Sequence, residues 1–150
     1  MIQEVNILLV EDNEGDIVLT LKALTKAKVH NNIDVVRDGE QALQFLNKEG
    51  VFNDAVTPGL ILLDINLPKI NGLEVLTAIK THPELRVVPV IMLTTSESEK
   101  DIMQSYYHHA NCFITKPVNF SNFIEVIHSL KEFWISIVHL PNPPQQNEKI

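Results

Sequence analysis

The sequence predicts an α/β protein built on a parallel sheet with helices on both faces. Three observations predict it. Five short apolar runs recur along the chain, their starts about 20 to 30 residues apart. The spacers between them carry apolar residues at helical intervals. The runs themselves are nearly continuous in apolar residues, as in strands covered on both sides. Strand and helix patterns in strict alternation argue for βαβ units rather than hairpins.

The first run, Val5-Asn6-Ile7-Leu8-Leu9-Val10, stops at Glu11-Asp12, and Ile17, Leu21 and Leu24 follow at helical spacing. The second, Ile33–Val36, ends in Arg37-Asp38-Gly39, which reads as turn chemistry. Ala42, Leu43, Phe45 and Leu46 form the next stripe. The third run, Leu60-Ile61-Leu62-Leu63, stops at Asp64, and Leu73, Leu76 and Ile79 follow Gly72. The fourth, Val90–Leu93, ends in Thr94-Thr95-Ser96, with a helix expected around Ile102, Met103 and Tyr106. The fifth, Cys112–Thr115, ends in Lys116. Its following helix carries Phe120, Phe123, Ile127, Leu130, Trp134 and Ile137 as one stripe, and also Val126, Phe133, Ile135 and Val138. That is more apolar surface than a helix flanking a sheet needs, so it reads either as a longer core helix or as a partner face. Residues 141–150 are polar and proline-rich and are expected to be disordered.

At 150 residues the chain fits one domain, placed at residues 4–140. A net charge of −7 gives no electrostatic footprint for nucleic acid. No apolar run reaches the roughly 20 residues that cross a bilayer. The start has no positive region of a signal peptide, and the single cysteine, Cys112, reads as a buried inert thiol. These features together predict a cytoplasmic protein.

Four of the five runs end in chemically useful side chains: Glu11-Asp12, Asp64, Thr94 and Lys116. In open α/β sheets ligands bind outside the carboxyl ends of the strands. Three carboxylates gathered there repel one another. Two unit charges about 4 Å apart interact by roughly 4 kcal/mol at an effective dielectric near 20. The acids therefore call for a cation, a shared proton or a nearby lysine. Carboxylate oxygens suit a hard divalent cation such as magnesium. An ionised Asp can act as nucleophile toward a phosphoryl group, with a metal and a lysine neutralising the transferred charge. Taken singly each signal is weak, since an Asp at a strand end is most often a cap or turn residue.

The segments Ile7-Leu8-Leu9-Val10-Glu11-Asp12, Asp38-Gly39-Glu40-Gln41-Ala42-Leu43, Leu62-Leu63-Asp64-Ile65-Asn66-Leu67-Pro68 with Gly72, Pro89-Val90-Ile91-Met92-Leu93-Thr94 and Thr115-Lys116-Pro117 together resemble the receiver domains of two-component response regulators. Within that family the chain is most similar to the single-domain regulators of cyanobacterial phytochrome kinases, to which Phe133-Trp134 and Val138-His139-Leu140-Pro141 add a matching C-terminal extension. The resemblance implies a flavodoxin-like, doubly wound, five-stranded sheet in the order 2-1-3-4-5. It implies that Asp64 accepts a phosphoryl group from a sensor histidine kinase. Mg2+ would be bound by Asp12 and Asp64 through side chains and by Asn66 through its backbone carbonyl, with Glu11 helping directly or through water. Lys116 would pair with the phosphoryl group or with Asp64. Thr94 would move toward the phosphoryl oxygens, and Phe113 would turn into the space it leaves. A cis Lys116–Pro117 bond is expected. Phe113 stands where many relatives have Tyr, so the switch would work by packing. Thr95 is bulkier than the residue many relatives place there, which would slow attack by water.

The output of such a protein would be a contact surface made by the fourth helix, fifth strand and fifth helix, with a homodimer through that surface and the C-terminal extension. The rival reading is a haloacid-dehalogenase-like phosphatase with Asp64 as nucleophile. Such enzymes place a second Asp two residues on as general acid, and here that residue is Asn66. A degenerate receiver that only binds, and an FMN-binding domain on the same fold, fit the retained acids and lysine less well.

Overall fold

The computed structural model describes residues 6–27, 32–95 and 112–129. Five parallel strands form one sheet in the order β2-β1-β3-β4-β5. They are β1 (Ile7–Val10), β2 (Ile33–Val36), β3 (Leu60–Asp64), β4 (Val90–Thr94) and β5 (Cys112–Thr115). Among the described residues the α-helices are α1 (Glu14–Lys26), α2 (Gly39–Leu46), α3 (Gly72–Thr81) and a final helix, Phe120–Ser129. This is the flavodoxin-like receiver architecture expected from the sequence. The helix expected around Ile102–Tyr106, the residues Phe133 and Trp134, and the tail 141–150 lie outside the described residues.

Side chains alternate across a strand, so each strand feeds two cores. Leu8, Val10, Ile61, Leu63 and Met92 pack under α2 and α3, against Ala42, Phe45, Leu46, Val75, Leu76 and Ile79. Ile7, Leu9, Leu60, Leu62, Ile91, Leu93 and Ile114 pack under α1 and the final helix, against Ile17, Leu24 and Phe123. β1, β3 and β4 are wholly buried, which explains their uninterrupted apolar sequence. β2 and β5 are the edges, and there the burial is partial. Cys112, expected to be buried, is accordingly only half-buried, because it begins an edge strand.

The helix starts are fixed by side-chain caps. Asn13, Asp38 and Asn71 each accept a hydrogen bond from a backbone N–H of the first turn of α1, α2 and α3. Asp38 is thus a helix cap, more specific than the turn role its sequence context gave it. Two glycines let loops press on neighbouring backbone. A Cβ on Gly39 would fall 1.8 Å from the Ile70 carbonyl oxygen, and one on Gly72 would fall 2.1 Å from the Asp64 carbonyl oxygen. The Lys116–Pro117 bond is cis.

Candidate functional site

Strand register brings the sequence-distant groups together. Val10 of β1 lies level with Leu63 of β3, so Glu11 emerges beside Asp64. Asp64 is level with Leu93, one residue short of Thr94. Thr94 is level with Thr115, one residue short of Lys116. A parallel sheet sends all its carboxyl ends to one edge, so Glu11, Asp12, Asp64, Thr94 and Lys116 converge there.

The geometry centres on the Lys116 ammonium. Its Nζ donates to Glu11 Oε1 at 3.2 Å and to Asp64 Oδ2 at 3.2 Å. It also pairs with Asp16 Oδ2 at 3.0 Å. Carboxylate oxygens of Glu11, Asp12 and Asp64 lie within 4.8 Å of one another. Glu11 and Asp64 are buried, whereas Asp12 is exposed. The Asp64 carboxylate accepts from the Asn66 backbone N–H at 3.3 Å, and Glu11 accepts from the Asn13 backbone N–H at 3.3 Å.

Burial, together with the charge of Asp64, pushes the Glu11 carboxyl up to about 7, against a smaller downward pull from Lys116. Burial likewise raises Asp64, with Lys116 opposing it. Burial alone would lower Lys116, but its bond to Asp16 and the charges of Asp64 and Glu11 outweigh that and hold it well above its ordinary value. Three carboxylates, Glu11, Asp16 and Asp64, thus contact one ammonium, with the Asp12 carboxylate close to two of them, and the site is short of positive charge.

A hard divalent cation fits this donor set. All the available donors are oxygens, two of the carboxylates are fixed by backbone N–H bonds, and exposed Asp12 leaves the mouth open to coordinating water. Asn66 is placed next to Asp64, its side chain exposed. Thr94 is fully buried, and its carbonyl accepts the Lys116 backbone N–H at 2.7 Å. Phe113 pairs in register with Met92 and packs, partly buried, on the α2–α3 side of the sheet. By strand alternation Thr94 points to that same side.

Asp16 escaped the sequence reading. An acid in the first turn of a helix is ordinarily explained by the helix dipole, and nothing in local sequence links it to a lysine one hundred residues on. On sequence grounds Glu11-Asp12 also reads as a cap for α1, but Asn13 is the cap.

The model of the response regulator receiver domain family matches residues 7–128. The chain belongs to this family. Response regulator Rcp1 of Synechocystis sp. is 41% identical over 135 residues, covering 90% of this chain and 92% of the relative. The Mn(2+)-bound crystal form of response regulator Rcp1 superposes with a TM-score of 0.72 at 40% identity, covering 92% of this chain and 99% of the other. The bacteriophytochrome response regulator RtBRR superposes with a TM-score of 0.85 at 45% identity, covering 94% and 86%. The phosphorylated cyanobacterial phytochrome response regulator RcpA superposes with a TM-score of 0.73 at 45% identity, covering 93% and 99%. The chain is therefore a receiver-domain response regulator related to those of phytochromes. Members of this family act as phosphoacceptor switches. Among the described residues no helix is long and apolar enough to cross a membrane.

Proposed function

We propose that this receiver, residues 4–140, is a magnesium-dependent switch in which Asp64 takes a phosphoryl group from the phosphohistidine of a phytochrome-type sensor kinase. The observation that carries the reading is the buried Asp64 carboxylate held 3.2 Å from the Lys116 ammonium beside Glu11 and Asp12. Likeness to a phosphorylated phytochrome response regulator and to a Mn(2+)-bound response regulator supports the donor class and the cation.

A carboxylate oxygen of Asp64 forms the new P–O bond as the donor's P–N bond breaks, and the electron pair returns to the imidazole. Lys116 neutralises oxygens of the transferred group. Asp12, Asp64 and the Asn66 carbonyl would hold Mg2+, with Glu11 directly or through water. When bound, the ion offsets repulsion between the acids and the incoming phosphoryl oxygens. Thr94 and Phe113, which face the same side of the sheet, are the switch pair. Phosphorylation then shifts a pre-existing equilibrium between two conformations. The output is a cytoplasmic protein contact, with a homodimer through the surface that includes β5 and the final helix. Thr95 slows hydrolysis by crowding water.

The test is labelling by acetyl phosphate with magnesium, comparing wild type with Asp64→Asn. Stable labelling that disappears in the variant and on chelation is expected. Sustained turnover of a generic phosphomonoester would instead favour the phosphatase. Phosphotransfer profiling against the host's sensor kinases tests the phytochrome assignment.

A further inference from the structure

The first turn of α1 differs from those of the other described α-helices in what its third residue does. In α3 that residue, Glu74, returns to the cap and accepts the Asn71 N–H at 3.1 Å. In the final helix Asn122 accepts the Asn119 N–H at 2.9 Å. In α2 Gln41 accepts the Arg37 N–H at 2.9 Å, one residue before the cap. This is the usual back-bond of a helix start. In α1 the third residue is Asp16. The N–H of its cap, Asn13, goes to Glu11 instead, and the Asp16 carboxylate reaches Lys116 Nζ at 3.0 Å.

An ammonium has three hydrogens and no more. Lys116 Nζ has three acids within reach, Glu11 at 3.2 Å, Asp64 at 3.2 Å and Asp16 at 3.0 Å. Glu11 and Asp64 belong to the acid cluster that would hold the cation and take the phosphoryl group. Asp16 lies outside that cluster, on α1, with its side chain 26% exposed. A lysine side chain is a flexible stem, and its head goes where its acceptors place it. With Asp16 present, the ammonium that bonds Glu11 and Asp64 is also anchored from the α1 side.

We propose that Asp16 is a positioning residue for phosphoryl acceptance, acting through Lys116; the inference rests on the receiver reading of Asp64. When Asp64 is phosphorylated, the Lys116 N–H that donates to the Asp64 carboxylate donates instead to a phosphoryl oxygen, and the proton stays on the ammonium. The Glu11 and Asp16 bonds stay. Without Asp16 the ammonium leans on Glu11 and Asp64, competes with the divalent cation and no longer points at the transferred group.

The experiment uses the full chain in a double-mutant cycle of Asp16→Asn with Lys116→Met. Asp16→Glu is added as the conservative rescue. Two quantities are read: magnesium affinity by calorimetry with the metal alone, and the maximal rate of Asp64 labelling at saturating magnesium and acetyl phosphate. Asp16→Asn is expected to weaken magnesium binding and to slow maximal labelling, each by roughly threefold to tenfold. Asp16→Glu recovers part of both. In the Lys116→Met background Asp16→Asn has a clearly smaller effect on magnesium affinity. The Asn13 side chain caps α1 through the Asp16 backbone N–H, so the cap survives either substitution. Wild-type affinity and rate in Asp16→Asn, or the same fold-loss of affinity with and without Lys116, overturns the inference while leaving the receiver reading intact. Labelling absent from the wild-type chain, or retained in Asp64→Asn, overturns that reading and the inference with it.

Discussion

Lys116 Nζ stands 3.2 Å from Asp64 Oδ2, although the two residues are 52 positions apart, Asp64 ending β3 and Lys116 following β5. The pair is buried, with side-chain exposures of 10% and 2%. A buried pair of this kind carries a large desolvation cost, so its presence is weak evidence for stability and better evidence for chemistry.

Removal of the ammonium leaves Glu11 and Asp64 facing each other without compensation. Lys116→Met is expected to destabilise the metal-free protein by roughly 3 kcal/mol at pH 8. The loss shrinks near pH 5, where a proton on Glu11 replaces the missing charge. Urea unfolding in a chelator at the two pH values checks this, and equal losses at both would contradict it.

The metal-free wild-type protein has its own pH dependence. Glu11 is raised from 4.5 to about 7 on folding, mainly by burial. Between these values the folded chain binds more protons than the unfolded chain, so stability falls as pH rises through that window. Asp64, raised in the same direction, adds to the fall. Thermal melts in chelator should therefore drop from about pH 5 to pH 7.5. Glu11→Gln should flatten the curve. Magnesium should reverse the drop, because a bound cation stabilises the ionised acids. A flat profile in the metal-free wild type would refute the assignment.

The end of β3 is also held from outside. A methyl group on Gly72 would lie 2.1 Å from the Asp64 carbonyl oxygen, which is backbone and cannot rotate away. Gly72→Ala is expected to destabilise the protein by about 2 kcal/mol or more and to reduce Asp64 labelling in the folded fraction. Circular dichroism melts and labelling together check both effects.

The extra apolar residues after the fifth strand, Phe133 among them, motivate a prediction read from sequence alone. Phe133→Glu should weaken self-association in sedimentation velocity. An unchanged sedimentation coefficient removes the reason for a dimer through that segment.

The architecture and the gathering of Glu11, Asp12, Asp64 and Lys116 were legible in the sequence because each rests on local pattern plus one topological rule. Strands end where apolar runs stop, and a parallel sheet sends those ends to one edge. Asp16 was illegible for the opposite reason. Its partner is fixed by the register of β5 against β4, which is not encoded near Asp16. Cys112 misled because its apolar neighbours mark a strand without saying that the strand is an edge. Asp38 read as a turn residue because turns and caps draw on the same side chains.

The most direct test is to locate the phosphoryl group. The protein is incubated with acetyl phosphate and magnesium, the acyl phosphate is reduced with borohydride, and the modified residue is mapped by peptide mass spectrometry. Modification at Asp64 that vanishes on chelation is the expected result. Modification at another residue, or at Asp64 without any divalent cation, would contradict the account.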